Sequence, residues 1–205
     1  MKSLKQNILT AALLATTALA GLTAEPVSAG ENFIFKMQPS KGALTCLPYA
    51  SGTVTVSSLG PVENMHVVVR NLPPKTNFDF FVIQTPEAPF GLSWYQGDIE
   101  TDANGVGVAD FVGRFNIETF IVALGSDVAP SVHKTGTFPD AATNPATAPV
   151  HTFHLGLWFN SPTDAANAGC NPAVTPFNGE HHAGIQVLNT AQFAKNWGPL
   201  ARLKP

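Results

Sequence analysis

The chain of 205 residues carries 11 Lys and Arg against 14 Asp and Glu, which gives a formal net charge of −3 at pH 7. A protein with so few positive charges is poorly suited to binding the phosphate backbone of a nucleic acid, and this argues against nucleic acid as a partner. Only 12% of the residues are charged. A soluble form must therefore expose many Ser, Thr, Asn and Gln side chains, as exported β proteins commonly do.

The first 29 residues have the order of a secretory signal peptide. Two lysines precede an apolar stretch over residues 8–22, and small residues follow it. That stretch is too short for a membrane span. Cleavage after Ala29 fits better than cleavage after Ala20, because Glu25 and Pro26 form a polar, helix-breaking segment before Ala29. We expect a secreted or periplasmic protein without a membrane span once the signal is removed.

The chain has two cysteines, Cys46 and Cys170, and in an oxidising compartment they are expected to form a disulfide. Closing a loop of about 125 residues would stabilise the fold by roughly 4–5 kcal/mol on the chain-entropy model. Two free thiols or a copper–cysteine site are the alternatives. The copper alternative fits poorly, because His181 follows Cys170 only after eleven residues and no methionine follows Met65.

Alternation of β-branched or aromatic residues with polar ones predicts strands along most of the chain. The strongest local signal is Asn104-Gly105, which lies between two alternating runs and predicts a hairpin turn. The predicted strands lie within residues 52–58, 65–72, 77–84, the two arms of 97–113, 118–124, 151–159 and 183–189.

The helix signals are short. One candidate covers residues 161–169, with Ser161 as the cap and Pro162 in the first turn, and the other covers residues 190–196. A loop rich in Pro, Ala and Thr is predicted over residues 126–150, long enough to be functional or partly disordered. We therefore predict an all-β fold: an antiparallel, immunoglobulin-like β-sandwich that forms a single domain over residues 30–205.

The segment over residues 67–82 resembles the strand–turn–strand corner of fibronectin type III and related immunoglobulin-like domains. Leu72, Pro74 and Thr76 hold the positions of a Leu-x-Pro-x-Thr-x-Tyr pattern. Phe78 replaces the tyrosine, so such a corner would be made by packing without the hydroxyl's hydrogen bond. The chain also resembles uncharacterised bacterial exported proteins that carry "PFGLSWYQGD" and "HLGLWFNSP" segments. No activity comes with that resemblance.

The histidines raise the question of a metal site. In a strand over 151–159, His151 and His154 face opposite sides, so they cannot ligate one metal together. His154 would meet His181 or His182, with Glu180 as a further donor, if the strand that begins near residue 183 is its neighbour. Zinc or copper needs three or four converging donors.

The usual metal-binding spacings are absent. Structural histidines that are either solvated or hydrogen-bonded, with no cofactor, are therefore the preferred interpretation. The alternative is zinc or copper bound by His154, His181 and His182.

Three aromatic residues are candidate ligand-binding residues. Trp94 and Tyr95 are adjacent, so in an extended segment one of them points outward. Trp158 shares a face with His154 and with Gly156, whose small size would leave room for His154 to meet His181 or His182. Exposed aromatics would stack on sugars or anchor a protein partner. Packing inside the sheet explains them equally well.

The function predicted from these features is an exported, non-catalytic structural or binding domain of unknown ligand. An envelope glycan or a protein is the expected partner, bound by loops around residues 86–98, 126–150 and 171–183. A Gly-x-Ser-x-Gly motif for nucleophilic catalysis is absent. The alternative function is a metal-binding protein or metal-dependent enzyme that uses His154, His181 and His182.

Overall fold

The computed structural model describes residues 32–115, 152–175, 182–195 and 197–203. The predicted signal peptide, the predicted strand 118–124, the Pro/Ala/Thr-rich loop 126–150, His151 and His181 lie outside these ranges.

The described residues form one antiparallel sheet with little helix. The strands are β1 (Phe33–Pro39), β2 (Ser51–Ser58), β3 (Glu63–Arg70), β4 (Asn77–Ile83), β5 (Ser93–Glu100), β6 (Gly107–Gly113), β7 (His154–Phe159) and β8 (Gln186–Asn189), with helix α1 (Pro162–Asn167) and a 3-10 helix (Pro199–Arg202). Their order across the sheet is β5-β4-β7-β8-β1-β2-β3-β6. No helix in these ranges is long and apolar enough to span a membrane.

The two edge strands of this sheet, β5 and β6, come close to each other. They are consecutive along the chain, and Thr101 pairs with Gly107 where the hairpin between them begins. The Phe111 ring of β6 stacks on Phe80 of β4 with 5.2 Å between ring centroids. The sheet is therefore nearly closed. The predicted all-β, antiparallel fold is confirmed, whereas the immunoglobulin-like sandwich is not, because one sheet contains every described strand.

The hairpin turn lies where Asn104-Gly105 predicted it. Gly105 has φ +70°, and a Cβ there would lie 2.0 Å from the carbonyl oxygen of Leu72. Only glycine fits a left-handed position this close to another backbone segment. The Asp102 carboxylate accepts hydrogen bonds from the backbone N–H groups of Asn104 and Val106, which lowers its pKa.

The core lies inside the curved sheet. In β2 and β3 the side chains alternate between buried and half-buried or exposed, as period-two patterning requires. β1 escaped the sequence analysis because the exposed Ile34 places an apolar side chain on the outer face and obscures the alternation of Phe35 and Met37. The largest interior side chains are Met37, Met65, Phe78, Phe80, Ile99, Phe115, Leu155, Leu157, Phe159 and Leu188.

The two predicted helices have different outcomes. α1 is confirmed, with the Ser161 side chain accepting a hydrogen bond from Asp164 N and Pro162 in the first turn. The helix predicted over 190–196 is wrong, because its described residues, 190–195, contain turns, a bend and an isolated bridge from Ala194 to Trp197. The Thr190 hydroxyl is bonded to β7, where it accepts a hydrogen bond from Leu155 N, so this segment follows the sheet.

The predicted disulfide is confirmed. Cys46 and Cys170 are bonded, with 5.3 Å between their Cα atoms. The bond ties the turn that follows β1 to the residues that follow α1. These two segments are 124 residues apart in sequence.

Replacing both cysteines with alanine should lower the free energy of unfolding by about 4–5 kcal/mol, because the unfolded chain gains the freedom of the opened loop. Urea denaturation of the variant and the oxidised wild type measures the difference. The reduced wild type is the control, since it should lose a comparable amount. Equal stability of all three forms would contradict the expectation.

Candidate functional site

Where β4 and β7 lie next to each other, both faces of the sheet are buried. Every residue of β7, and all but the first of β4, is buried. Side chains along a strand alternate between faces, so here the outer face is covered as well as the inner one. This covered outer face is the structural basis of the candidate site.

Four aromatic residues form a continuous row on that face, which we call the outer aromatic row. Tyr95 contacts Phe81 at 5.4 Å between ring centroids, Phe81 contacts Trp158 at 5.4 Å, and Trp158 contacts Phe90 at 4.9 Å. The last two contacts are edge-to-face, a favourable geometry for aromatic pairs. The row leads from β5 across β4 and β7 to the loop between β4 and β5.

Gly156 makes room for this row. A Cβ at Gly156 would lie 2.2 and 2.4 Å from ring carbons of Trp158 and 2.9 Å from Gln186 Nε2. The space that Gly156 was predicted to leave for His154 to meet His181 or His182 is occupied by the ring of Trp158.

The structure separates the three aromatic candidates. Trp158 is fully buried, so a stacking role at the surface is corrected to one of support for Phe90. Trp94 is half-buried. Tyr95 is the exposed member, at 42%, and its hydroxyl donates to the Asp98 carboxylate. Burial, followed by that hydrogen bond, raises the pKa of Tyr95.

His154 is hydrogen-bonded at both ring nitrogens. Nε2 lies 3.0 Å from the Lys195 carbonyl oxygen and 3.2 Å from that of Ala194, so Nε2 must carry the proton. Nδ1 lies 2.9 Å from the Thr190 hydroxyl, which also accepts a hydrogen bond from Leu155 N. In a neutral imidazole Nδ1 accepts from the Thr190 hydroxyl, and burial favours this neutral form. Burial lowers the pKa of His154.

The strand register keeps His154 and His182 apart. β7 and β8 are antiparallel, and His154 lies beside Thr190 at one end of the pair. At the other end, Gly184 N donates to the Phe159 carbonyl oxygen. His154 and Phe159 lie five residue steps apart along β7, which corresponds to roughly 17 Å of extended strand. His182 is exposed near the far end.

These positions bear on the metal alternative. Among the described residues, no group of three His, Cys, Asp or Glu side chains is placed to hold a metal ion. His181 and Glu180 lie outside those residues. His154 has no ring nitrogen left for a metal, so the described part of the predicted site does not converge.

A cleft of about 330 Å³ opens at the end of the outer aromatic row. Its walls are residues 40–42 after β1 and residues 87, 88 and 90 of the loop between β4 and β5. Ile185, Gln186 and Asn189 provide the rest of the lining. The volume lies at the small end of the range for ligand pockets. The loop predicted around residues 86–98 thus contributes to the cleft.

Two buried amides belong to this lining. Asn189 Nδ2 donates to Gln186 Oε1 at 2.9 Å, and Asn189 Oδ1 accepts from Ala191 N. Gln186 is 8% exposed, and its Nε2 has no hydrogen-bond partner in the described part of the chain. An unpaired buried donor of this kind costs about 1–3 kcal/mol. Nε2 lies over Gly156, 2.9 Å from where a Cβ would stand and beside the Trp158 ring, within the packed outer layer.

An ion pair crosses the cleft. Lys41 Nζ lies 2.9 Å from one Glu87 carboxylate oxygen and 3.1 Å from the other. Both side chains are exposed, so the pair contributes little to stability. The sequence analysis did not identify these residues, nor Gln186 and Asn189. Their shared position depends on the pairing of β8 with β1, which no local pattern encodes.

Replacing Gly156 with valine should lower the free energy of unfolding by about 1–3 kcal/mol, because the new side chain would displace the Trp158 ring. Gly113→Ala in β6 is the matched control, since a Cβ there meets Phe115 at an ordinary 3.6 Å. Urea denaturation and near-ultraviolet circular dichroism would follow both variants. A Gly156→Val protein as stable as the control would show that Trp158 does not lie over Gly156.

His154 should make the protein less stable in mild acid. Burial lowers the pKa of His154 below the usual 6.5. At a pH between the two pKa values, His154 is therefore protonated in the unfolded chain and neutral in the folded protein. The stability due to neutral His154 is present above pH 6.5 and lost as the pH falls towards the folded pKa, by up to about 1.4 kcal/mol per pH unit.

Urea denaturation between pH 7.5 and 5 measures this loss. His154→Gln should flatten the dependence, whereas His182→Gln, at an exposed position, should leave it as in the wild type. An unchanged slope in His154→Gln would assign the acid sensitivity to another group.

Comparison with known proteins assigns no family. A scan against protein-family models and a search of curated proteins both found no match to this chain.

Proposed function

We propose that this protein is an exported, non-catalytic binding domain that holds a small ligand in the cleft beside Gln186. The observation that carries the proposal is the cleft of about 330 Å³, where the loop between β4 and β5 meets the turn after β1 and the strand β8. Its lining combines the apolar side chains of Phe90 and Ile185 with the amides of Gln186 and Asn189.

The chemistry of the cleft favours binding over catalysis. Gln186 and Asn189 are neutral amides, which neither gain nor lose protons near neutral pH and cannot serve as general acid or base. The titratable groups of the described lining, Lys41 and Glu87, are paired with each other. These groups position a ligand and leave it unchanged.

Export is part of the proposal. The signal-like N-terminus supports it, and so does the disulfide between Cys46 and Cys170, since such bonds persist outside reducing compartments. The relationship to immunoglobulin-like domains and to the uncharacterised exported group also stays a proposal. The antiparallel sheet and the buried Phe78 agree with that relationship.

The metal alternative has less support. It would require His154 to release the backbone carbonyls of Ala194 and Lys195, and to reach a partner at the other end of β7.

A cleft-filling substitution tests the proposed function. Gly42 lies in the cleft wall, and a Cβ there would sit 3.8 Å from both Ile185 and the Ser40 hydroxyl, an ordinary contact. Gly42→Phe should therefore fold while it fills the cleft, and Gly42→Ala is the matched control. A melting-temperature screen would use sugars, amino acids, dipeptides, nucleosides and organic acids, with zinc and copper as separate additions.

We expect at least one compound class to raise the melting temperature of the wild type and of Gly42→Ala but not of Gly42→Phe. The protein purified without chelator or affinity tag should contain no stoichiometric zinc or copper. Stoichiometric metal that is lost in His154→Ala and His182→Ala would favour the alternative instead. A screen in which no class acts through Gly42 would refute the proposed function.

A further inference from the structure

We propose that the turn at Asn104-Gly105 is a deamidation site, which the Asp102 side chain protects in the folded protein. The chain contains two Asn-Gly pairs, at 104–105 and 178–179, and only the first lies in the described residues. Glycine after asparagine favours this reaction, because without a Cβ its backbone nitrogen can approach the asparagine side chain. The turn is not part of the cleft lining, so the site is independent of the proposed function.

The reaction is a cyclisation followed by hydrolysis. Gly105 N loses its proton to a base in solution and attacks the side-chain carbonyl carbon of Asn104. A new C–N bond forms, the bond to Nδ2 breaks, and that nitrogen leaves as ammonia after it takes a proton from water. Water then opens the cyclic imide at either carbonyl carbon and leaves aspartate or isoaspartate. The net change is the uptake of water and the release of ammonia, and isoaspartate adds a carbon to the backbone of the turn.

The fold holds the attacking nitrogen in place. Gly105 N donates to the Asp102 carbonyl oxygen at 3.1 Å, and this hydrogen bond is lost when the nitrogen gives up its proton. The Gly105 carbonyl oxygen accepts from Leu72 N at 3.2 Å. A Cβ on Gly105 would lie 2.0 Å from the Leu72 carbonyl oxygen. Gly105 is therefore bonded on both sides and has little room to turn towards the Asn104 side chain.

The Asp102 carboxylate holds the rest of the turn. Its Oδ1 accepts from Asn104 N at 2.8 Å and from Val106 N at 2.9 Å, on either side of Gly105. Its Oδ2 lies 3.4 Å from Asn104 Nδ2, the group that must leave. The hydrogen bonds from Val106 N and Asn104 N lower the pKa of Asp102. The carboxylate is therefore ionised at neutral pH, and its negative charge opposes the loss of a proton from the neighbouring Gly105 N.

Peptide mapping by mass spectrometry tests the proposal on the exported form of the protein, incubated at mildly alkaline pH. The folded wild type is compared with the same chain unfolded in urea with its disulfide reduced. In the unfolded chain both Asn-Gly pairs should deamidate, which shows that the reaction is detected. In the folded protein Asn104 should react at least about tenfold more slowly, because hydrogen bonds of ordinary strength change a rate by about this factor.

Substitutions at Asp102 test the source of the protection. Asp102→Ala removes the carboxylate and should raise the rate at Asn104 in the folded protein by about tenfold. Asp102→Asn keeps an acceptor oxygen and should raise the rate less. Glu100→Gln removes an exposed carboxylate of β5 and is the matched control, which should react as the wild type does. Near-ultraviolet circular dichroism and urea denaturation check that each variant is folded during the incubation.

The outcomes are distinct. An Asn104 that reacts as fast in the folded wild type as in the unfolded chain would overturn the proposal, and this comparison needs no variant. An Asn104 that is unreactive in the unfolded chain would show that it is not a deamidation site. A folded Asp102→Ala protein that reacts no faster than Glu100→Gln would refute the role of Asp102. Equal rates in Asp102→Ala and Asp102→Asn would refute protection by hydrogen bonds to its side chain.

Discussion

The packing of Trp158 over Gly156 is the constraint on which the candidate site of this molecule depends. A sheet strand normally presents one face to the core and the other to solvent. Here the indole ring lies along β7 in the space that a Cβ would occupy, and it is covered by Phe81 and Phe90. This packing places the loop between β4 and β5 against the sheet. The wall of the cleft formed by residues 87, 88 and 90 follows from it.

Burial of both faces also explains the unusual polar content of this region. Asp79, His154, Gln186, Asn189 and Thr190 are all buried, in positions that a half-exposed strand would give to solvent. His154 and Thr190 are satisfied by the network that joins β7 to residues 194 and 195. Gln186 is satisfied at Oε1 only, in the described part of the chain. The same layer thus contains the hydrogen-bonded network of His154 and Thr190 and, in the lining of the cleft, the amide pair of Gln186 and Asn189.

Local patterns predicted most of the strands because period two and turn residues are short-range properties. Gly105 predicted its hairpin because a left-handed turn position favours glycine. The disulfide was predictable because each of the two cysteines has only the other as a possible partner. Ile34 obscured β1, since its exposed apolar side chain interrupts an alternation that is otherwise completed by Phe35 and Met37 facing inward and Lys36 facing outward. The helix prediction that included Thr190 was wrong because the hydroxyl of Thr190 accepts a hydrogen bond from Leu155 N, 35 residues earlier. Local sequence patterns do not show so distant a partner.

No local pattern could predict the cleft. Ser40, Glu87 and Gln186 come together only because separate strands pair in the observed order and register. Gln186 and Asn189 resemble the polar face of an ordinary exposed strand until the packing around Trp158 is known. Loop 86–98 could be named as a ligand contact from its position alone, but the residues that face it could not.

The disulfide has a bearing on this cleft as well as on stability. The turn that carries Cys46 begins at Ser40 and includes Lys41 and Gly42, so the bond and one cleft wall share a single short stretch of chain. Without the bond, that wall is held to β8 mainly by Ser40, through its contacts with the Gln186 and Val187 carbonyl oxygens. The disulfide therefore anchors this cleft wall from its far end, by tying the turn that contains Lys41 and Gly42 to the residues that follow α1.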